Sequence, residues 1–247
     1  MNSSAESFDI AGIPVVILAG GLATRLQPLT EKIPKVLLEV AGRPFAEYQL
    51  EQLRQQGVKR VVFCVGFLGE KVRDVVGDGQ RWGMHLDYVF DGPTLLGTGG
   101  ALKHATPFLG NIFYVLYGDS YIECDYASIG QAFLRSGKLA LMTVFKNANQ
   151  WDPSNVDFRN GQIRKYDKRT RTSDMQYIDY GLGVLKAEAL NIYSDNSAFD
   201  LETVYKDLLV RDQLAGFEVY QRFYEIGSPS GLRETKEYLV QRMGTLK

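Results

Sequence analysis

Four apolar residues, Val15, Val16, Ile17 and Leu18, pass directly into Ala19, Gly20 and Gly21. An unbroken, largely β-branched run suits a strand covered on both faces, as in a parallel sheet flanked by helices. The two glycines let backbone N–H groups approach an anion with no Cβ in the way. The segment continues through Leu22, Ala23, Thr24, Arg25, Leu26, Gln27, Pro28, Leu29 and Thr30 to Pro34 and Lys35, so two cationic side chains, Arg25 and Lys35, accompany the turn. It reads as a buried strand ending in a phosphate loop. The two commonest phosphate motifs are excluded, because no Lys-Ser or Lys-Thr follows the last glycine and three glycines at dinucleotide spacing are missing.

Downstream, helix and strand signals alternate. Pro44 at a first helical position precedes Phe45, Tyr48 and Leu53, a stripe that ends at Gly57 as a C-cap. A buried strand over 61–65, a helix over 70–76, the Gly77-Asp78-Gly79 turn and a strand over 86–90 follow. This order predicts a doubly wound α/β fold with a mostly parallel sheet and right-handed crossovers. Ligands of such sheets sit beyond the carboxyl ends of the strands. The loops after Leu18, Phe90 and Tyr117 are therefore expected to converge.

Those loops hold further motifs. Asp91 leads through Gly97, Thr98, Gly99 and Gly100 into a helix containing Leu102 and Ala105; glycines at a helix N-terminus can admit a flat base or a phosphate. The strand over 113–117 ends in Gly118 and Asp119, an acid placed to hold Mg²⁺ against bound phosphates. A helix over 126–135 and a strand over 139–145 come next. Trp151 to Asn155 reads as a loop, and 156–158 with 162–166 as a hairpin across Asn160-Gly161. Lys168 follows Tyr166 and Asp167, but Lys165, Arg169 and Arg171 crowd the same segment, so a solvated basic face is the alternative there. A strand over 178–185 contains Asp179 and Gly181, and Leu201, Val204, Tyr205, Leu208 and Leu209 form an amphipathic helical stripe. Short strands over 217–220 and 223–226 deliver Glu225 ahead of Gly227, and Ser228 and Pro229 open a last helix as N-cap and N1.

Composition narrows the partners. The 247 residues carry a formal charge of −1, so no broad basic field exists to hold a nucleic acid or an anionic membrane. Residues 1–12 show neither a leader pattern nor a membrane anchor, which leads to an expected cytoplasmic location. Cys64 and Cys124 lack zinc-type pairing, and His85 and His104 have no partner at ligand spacing.

Taken in order, Leu18-Ala19-Gly20-Gly21, Thr24-Arg25-Leu26, Pro28-Leu29-Thr30, Pro34-Lys35, the Gly97–Ala101 segment and Gly118-Asp119 resemble the signature of the sugar-1-phosphate nucleotidyltransferases. The resemblance runs over about residues 14–233, and in texture the chain is most similar to the heptose 1-phosphate guanylyltransferases, with the N-acetylmuramate 1-phosphate uridylyltransferases next. It implies one domain over 1–247, with 14–146 as the nucleotide-binding half and 147–247 as the sugar-phosphate half with the C-terminal helix, and no appended hexapeptide-repeat domain. The implied reaction joins a nucleoside triphosphate and a sugar 1-phosphate into a nucleotide sugar and pyrophosphate.

The resemblance also distributes roles. Arg25, Lys35 and Asp119 would be catalytic; Leu18, Ala19, Gly20, Gly21, Asp91, Thr98, Gly99 and Gly100 would bind the nucleotide. Asp167, Lys168, Asp179 and Gly181 would meet the sugar phosphate, with Gly181 letting the ring lie against backbone, and Asp119 with Glu225 would hold Mg²⁺. Three positions depart from the family pattern. Ala23 stands where many members have glycine, so its φ is expected to stay negative; Asp167 replaces Glu, and Glu225 replaces Asp. A catalytically silent nucleotide-sugar binder and a metal-dependent glycosyltransferase are the other classes, although the Asp-x-Asp usual in the latter is missing. A homo-oligomer stays open as the assembly state, which leaves no trace in the sequence.

Overall fold

The computed structural model describes residues 9–195 and 197–245. Residues 1–8, on which most of the expectation of no leader rests, lie outside them. The strands in chain order are β1 (Val15–Leu18), β2 (Glu39–Val40), β3 (Arg43–Pro44), β4 (Arg60–Val65), β5 (His85–Phe90), β6 (Ile112–Tyr117), β7 (Ser120–Tyr121), β8 (Ala140–Lys146), β9 (Val156–Arg159), β10 (Gln162–Tyr166), β11 (Tyr177–Lys186), β12 (Leu214–Val219) and β13 (Tyr224–Glu225). The helices are α1 (Phe45–Gln55), α2 (Gly69–Val76), α3 (Gly97–Ala105), α4 (Tyr126–Ser136), α5 (Leu201–Val210) and α6 (Pro229–Thr245).

β5, β4, β1 and β6 lie side by side and parallel, with Val15 opposite both Val61 and Tyr114. β11 then runs antiparallel to β6 and carries β9 and β10 on one branch, β8 and β12 on the other. All four residues of β1 are buried, and successive side chains feed opposite layers: Val15 and Ile17 enter one core cluster, Val16 and Leu18 the other. That two-sided burial is why the run is apolar throughout instead of alternating. Each such side chain contributes about 1.5–3 kcal/mol relative to exposure. The hairpin between β9 and β10 turns at Asn160 and Gly161, both at positive φ (52° and 74°), as a tight two-residue turn requires.

Boundaries differ from expectation at β12, which starts at Leu214 and not 217, and at the start of α1. Pro44 is not the first residue of α1 but an extended residue in β3 (ψ 136°), because Phe45 N–H bonds the carbonyl of Leu38 and the chain turns helical only afterwards. At the carboxyl edge of the sheet, Gly118 N–H bonds Leu18 O at 3.0 Å, and a Cβ on Gly118 would sit 2.6 Å from that oxygen. A glycine is therefore needed for the ends of β1 and β6 to close on each other. Among the described residues, no helix is long and apolar enough to cross a membrane.

Candidate active site

The loops after β1, β5 and β6 converge on a cleft of about 260 Å³. Its walls include Ala19, Gly20, Gly21, Asp91 and Thr98, with Lys35 and Asp119 at one end. A methyl on Gly21 would meet nothing within 4 Å, so its bare backbone faces open space. Asp91 accepts from Leu96 N–H at 3.2 Å, and burial pushes its carboxyl above the usual range despite that bond.

The negative φ expected for Ala23 is corrected here, and Gly99 and Gly100 are packed against a neighbouring segment. Ala23 has φ +49°, the left-handed conformation a glycine would take, and its carbonyl accepts from Thr30 Oγ1 at 2.9 Å. The turn thus imposes its geometry on alanine, at a cost of about 1–2 kcal/mol. Gly99 and Gly100 do not line the cleft: both N–H groups bond Phe199 O (2.9 and 3.1 Å), and a methyl on Gly99 would sit 2.5 Å from the Phe199 ring. Their smallness serves the close approach of the segment ahead of α5. Thr98 does line the cleft, while its Oγ1 accepts from Leu201 N–H at 2.8 Å at the start of α5.

Lys35 Nζ lies 2.6 Å from Asp119 Oδ2, with both side chains about three-quarters buried. Burial alone would raise the Asp119 carboxyl, but the charge and hydrogen bond of Lys35, aided by Arg25, hold it below the usual carboxylate range. The turn that presents Asp119 is gripped by Gln49 of α1, whose Nε2 donates to Tyr117 O (3.1 Å) and Ser120 O (2.8 Å). Gln49 escaped the sequence reasoning; its signal is a polar residue within the apolar stripe of α1.

β13 pairs with β7, setting Glu225 opposite Ser120. A Cβ on Gly227 would lie 2.8 Å from Glu225 Oε2, 2.9 Å from Asp119 Oδ2 and 3.1 Å from Arg25 Nη2, so both acids and the arginine border one small volume. Burial raises the Glu225 carboxyl, and the charge of Asp119 adds to this, against hydrogen bonds from Ser228 and Gly227. Among the described residues, no group of three or more His, Cys, Asp or Glu could hold a metal. The two carboxylates nevertheless fit Mg²⁺, which commonly takes one or two carboxylates and completes its shell with water and substrate phosphates.

On β11, the Asp179 side chain is almost wholly buried. It accepts from Tyr166 OH (3.0 Å), Tyr117 OH (3.3 Å) and Gly181 N–H (3.1 Å), with Lys168 Nζ at 3.6 Å. Lys168 Nζ also donates to Tyr117 OH at 3.2 Å and lies 4.8 Å from the centre of that ring. Its backbone N–H is held by Glu202 of α5 at 2.9 Å. Lys168 is thus drawn inward, unlike a side chain on a solvated face.

Two residues expected at the sugar make contacts within the protein. The Asp167 carboxylate accepts from Arg169 and Thr170 N–H and pairs with Lys206 at 2.8 Å. Those bonds, the one from Lys206 first, hold its pKa well below the usual range. Gly181 has φ +96°, and a Cβ there would press on Ser120 Oγ at 3.0 Å, so its lack of a side chain also serves the packing of β11 against the turn after β6. Tyr117 and Tyr166 were missed because hydroxyl-bearing aromatics inside apolar strands read as core. A second hollow of about 180 Å³ adjoins the site, lined by Arg25, Trp151, Asp152, Arg222 and Glu225.

The profile of the family described as Nucleotidyl transferase matches residues 14–165. The chain is 30% identical over 221 residues to a D-glycero-alpha-D-manno-heptose 1-phosphate guanylyltransferase from Campylobacter jejuni, covering 87% of this chain and 94% of that one. It is 29% identical over 203 residues to a UTP–glucose-1-phosphate uridylyltransferase from Synechocystis, covering 75% of this chain; there it spans only about half (52%) of the relative's length. Among solved structures, HddC from Yersinia pseudotuberculosis complexed with GMP-PN superposes with a TM-score of 0.77 at 26% identity, covering 92% of this chain and 99% of that one.

Proposed function

The chain belongs to the nucleotidyl transferase family, among its sugar-1-phosphate members, and we propose that it converts a nucleoside triphosphate and a sugar 1-phosphate into a nucleotide sugar and pyrophosphate. The observation that carries this reading is the Lys35–Asp119 pair at 2.6 Å in the wall of the cleft after β1, which Tyr117, lining the same cleft, links through its hydroxyl to Lys168 and Asp179. Two anionic substrates bound at the two linked clusters would meet there.

An oxygen of the sugar phosphate forms a bond to the α-phosphorus while the bond from that phosphorus to the pyrophosphate oxygen breaks. A phosphate monoester has a second pKa of about 6, so the nucleophile is already ionised at neutral pH and no protein base is required. The protein's part is to bring two polyanions into line and neutralise them. Lys168, oriented by Tyr117 and Asp179, holds the attacking phosphate; Lys35 meets the phosphates at the reacting centre; Arg25 receives the pyrophosphate. Asp119 and Glu225 would hold Mg²⁺, which supplies charge neutralisation across the phosphates when bound. Gly20, Gly21 and Asp91 border the nucleotide.

For the substrates we propose GTP and a heptose or hexose 1-phosphate, and for the location the cytoplasm. Supporting the substrates are the Campylobacter heptose 1-phosphate guanylyltransferase, matched over nearly its full length, and the Yersinia structure with GMP-PN. A uridylyltransferase reading with UTP is the second, favoured by the Synechocystis relative at nearly equal identity. The test is a screen of the four ribonucleoside triphosphates and dTTP against heptose, hexose and N-acetylmuramate 1-phosphates, with the product identified by mass. GTP with a heptose or hexose 1-phosphate is expected to lead; preference for UTP by tenfold or more in kcat/KM would replace it with the second reading.

A further inference from the structure

Helix α6 carries glycine at the third position of its first turn, where φ makes no demand for one, since φ at Gly231 is not positive. Glycine inside a helix is less favourable than alanine by about 0.8–1.0 kcal/mol. Ser228 caps the helix, its Oγ accepting from Gly231 N–H at 3.0 Å. In a capping box the residue at Gly231's position would be Glu or Gln reaching back to the cap. Here an acid occupies that place from outside the helix. Glu225 Oε1 accepts from Ser228 Oγ at 2.6 Å, and Oε2 accepts from Gly227 N–H. A Cβ on Gly231 would overlap Oε1 outright and stand 2.7 Å from the Glu225 carbonyl oxygen.

We propose that Gly231 is a positioning residue matched to Glu225: the bare Cα in the first turn of α6 makes room for a glutamate carboxylate folded back against the helix, with its other oxygen beside the volume shared with Asp119. The functional half of this inference rests on the role proposed above for Glu225. An aspartate at 225 would be one methylene shorter and would remove the side-chain overlap over Gly231, leaving only the approach to the carbonyl oxygen.

The test is a double-mutant cycle of Gly231→Ala and Glu225→Asp, read by thermal unfolding and by pyrophosphate release. Alone, Gly231→Ala is expected to lower Tm and reduce turnover at least tenfold. In the Glu225→Asp background the same change is expected to lower Tm by less than half as much, because only the close approach to the carbonyl oxygen of residue 225 remains, with no further loss of turnover. Equal Tm shifts in both backgrounds would overturn the pairing. Lowered Tm with full turnover in Gly231→Ala would overturn the positioning role. If no substrate pair were turned over by the wild type, the proposed function would fail, while the Tm cycle would still decide whether Gly231 and Glu225 are coupled.

Discussion

Lys35 and Asp119 are 84 residues apart in sequence, yet the ammonium and a carboxylate oxygen lie 2.6 Å apart. Lys35 arrives on the loop after β1, Asp119 on the turn after β6, and the two strands are direct neighbours in the sheet. The pair follows from the parallel register: strands that start together end together, so their loops carry chemistry to one edge.

The pair also sets a pH dependence. The Asp119 carboxyl is held below its ordinary range, so its stabilisation is fully present above that range and is lost as pH falls through the lowered value. In Lys35→Met the carboxylate stays buried without its partner, burial raises its pKa, and the sign reverses. Wild type is expected to exceed Lys35→Met by about 1.5–3 kcal/mol at pH 7, the gap narrowing toward about pH 3. Urea unfolding across that range measures it; a constant gap would show that the pair is not linked to stability.

Lys35 pairs with Asp119 and Lys168 with Tyr117 and Asp179, so the two lysines should fail differently. Lys168→Ala is expected mainly to raise KM for the sugar phosphate, and Lys35→Ala mainly to lower kcat, each by about 10- to 100-fold for a lost charge-assisted contact. Tyr117→Phe, which removes the hydroxyl that Lys168 donates to, should follow Lys168→Ala in direction with a smaller effect. Identical kinetic profiles for the two lysine variants would contradict the assignment.

Gly99 separates a packing role from a nucleotide role. Its methyl would strike the Phe199 ring, so Gly99→Ala is expected to destabilise by about 1–3 kcal/mol through overpacking. The KM for the triphosphate, measured on folded protein, should stay within about twofold. A raised KM with unchanged Tm would return Gly99 to the nucleotide.

Much of the architecture is legible in the chain because burial on both faces and closure at the strand ends leave plain marks: the apolar β1 run, the glycine before Asp119, the Asn160-Gly161 turn. The site is legible where a residue type has one use, as with Lys35 and Asp119. It is obscured where one residue type serves two needs. A glycine admits a ligand or a neighbouring segment, and at Gly99 and Gly181 a neighbouring segment approaches the position a Cβ would take. Tyr117 and Tyr166 carry hydroxyls that a strand pattern counts as apolar. Asp167 sits beside a lysine that matters but spends its carboxylate on Lys206. Ala23 shows that a tight turn can impose φ +49° on a residue that disfavours it.

The most direct measurement of the central claim follows pyrophosphate and nucleotide sugar together, for wild type and Asp119→Ala, with Mg²⁺ and with excess chelator. Wild type with Mg²⁺ is expected to release one pyrophosphate per nucleotide sugar formed. Asp119→Ala, folded by circular dichroism, should lose at least 100-fold in rate, and chelated wild type should fall to background. Pyrophosphate release by Asp119→Ala at the wild-type rate, or triphosphate consumed with no nucleotide sugar formed, would contradict the account.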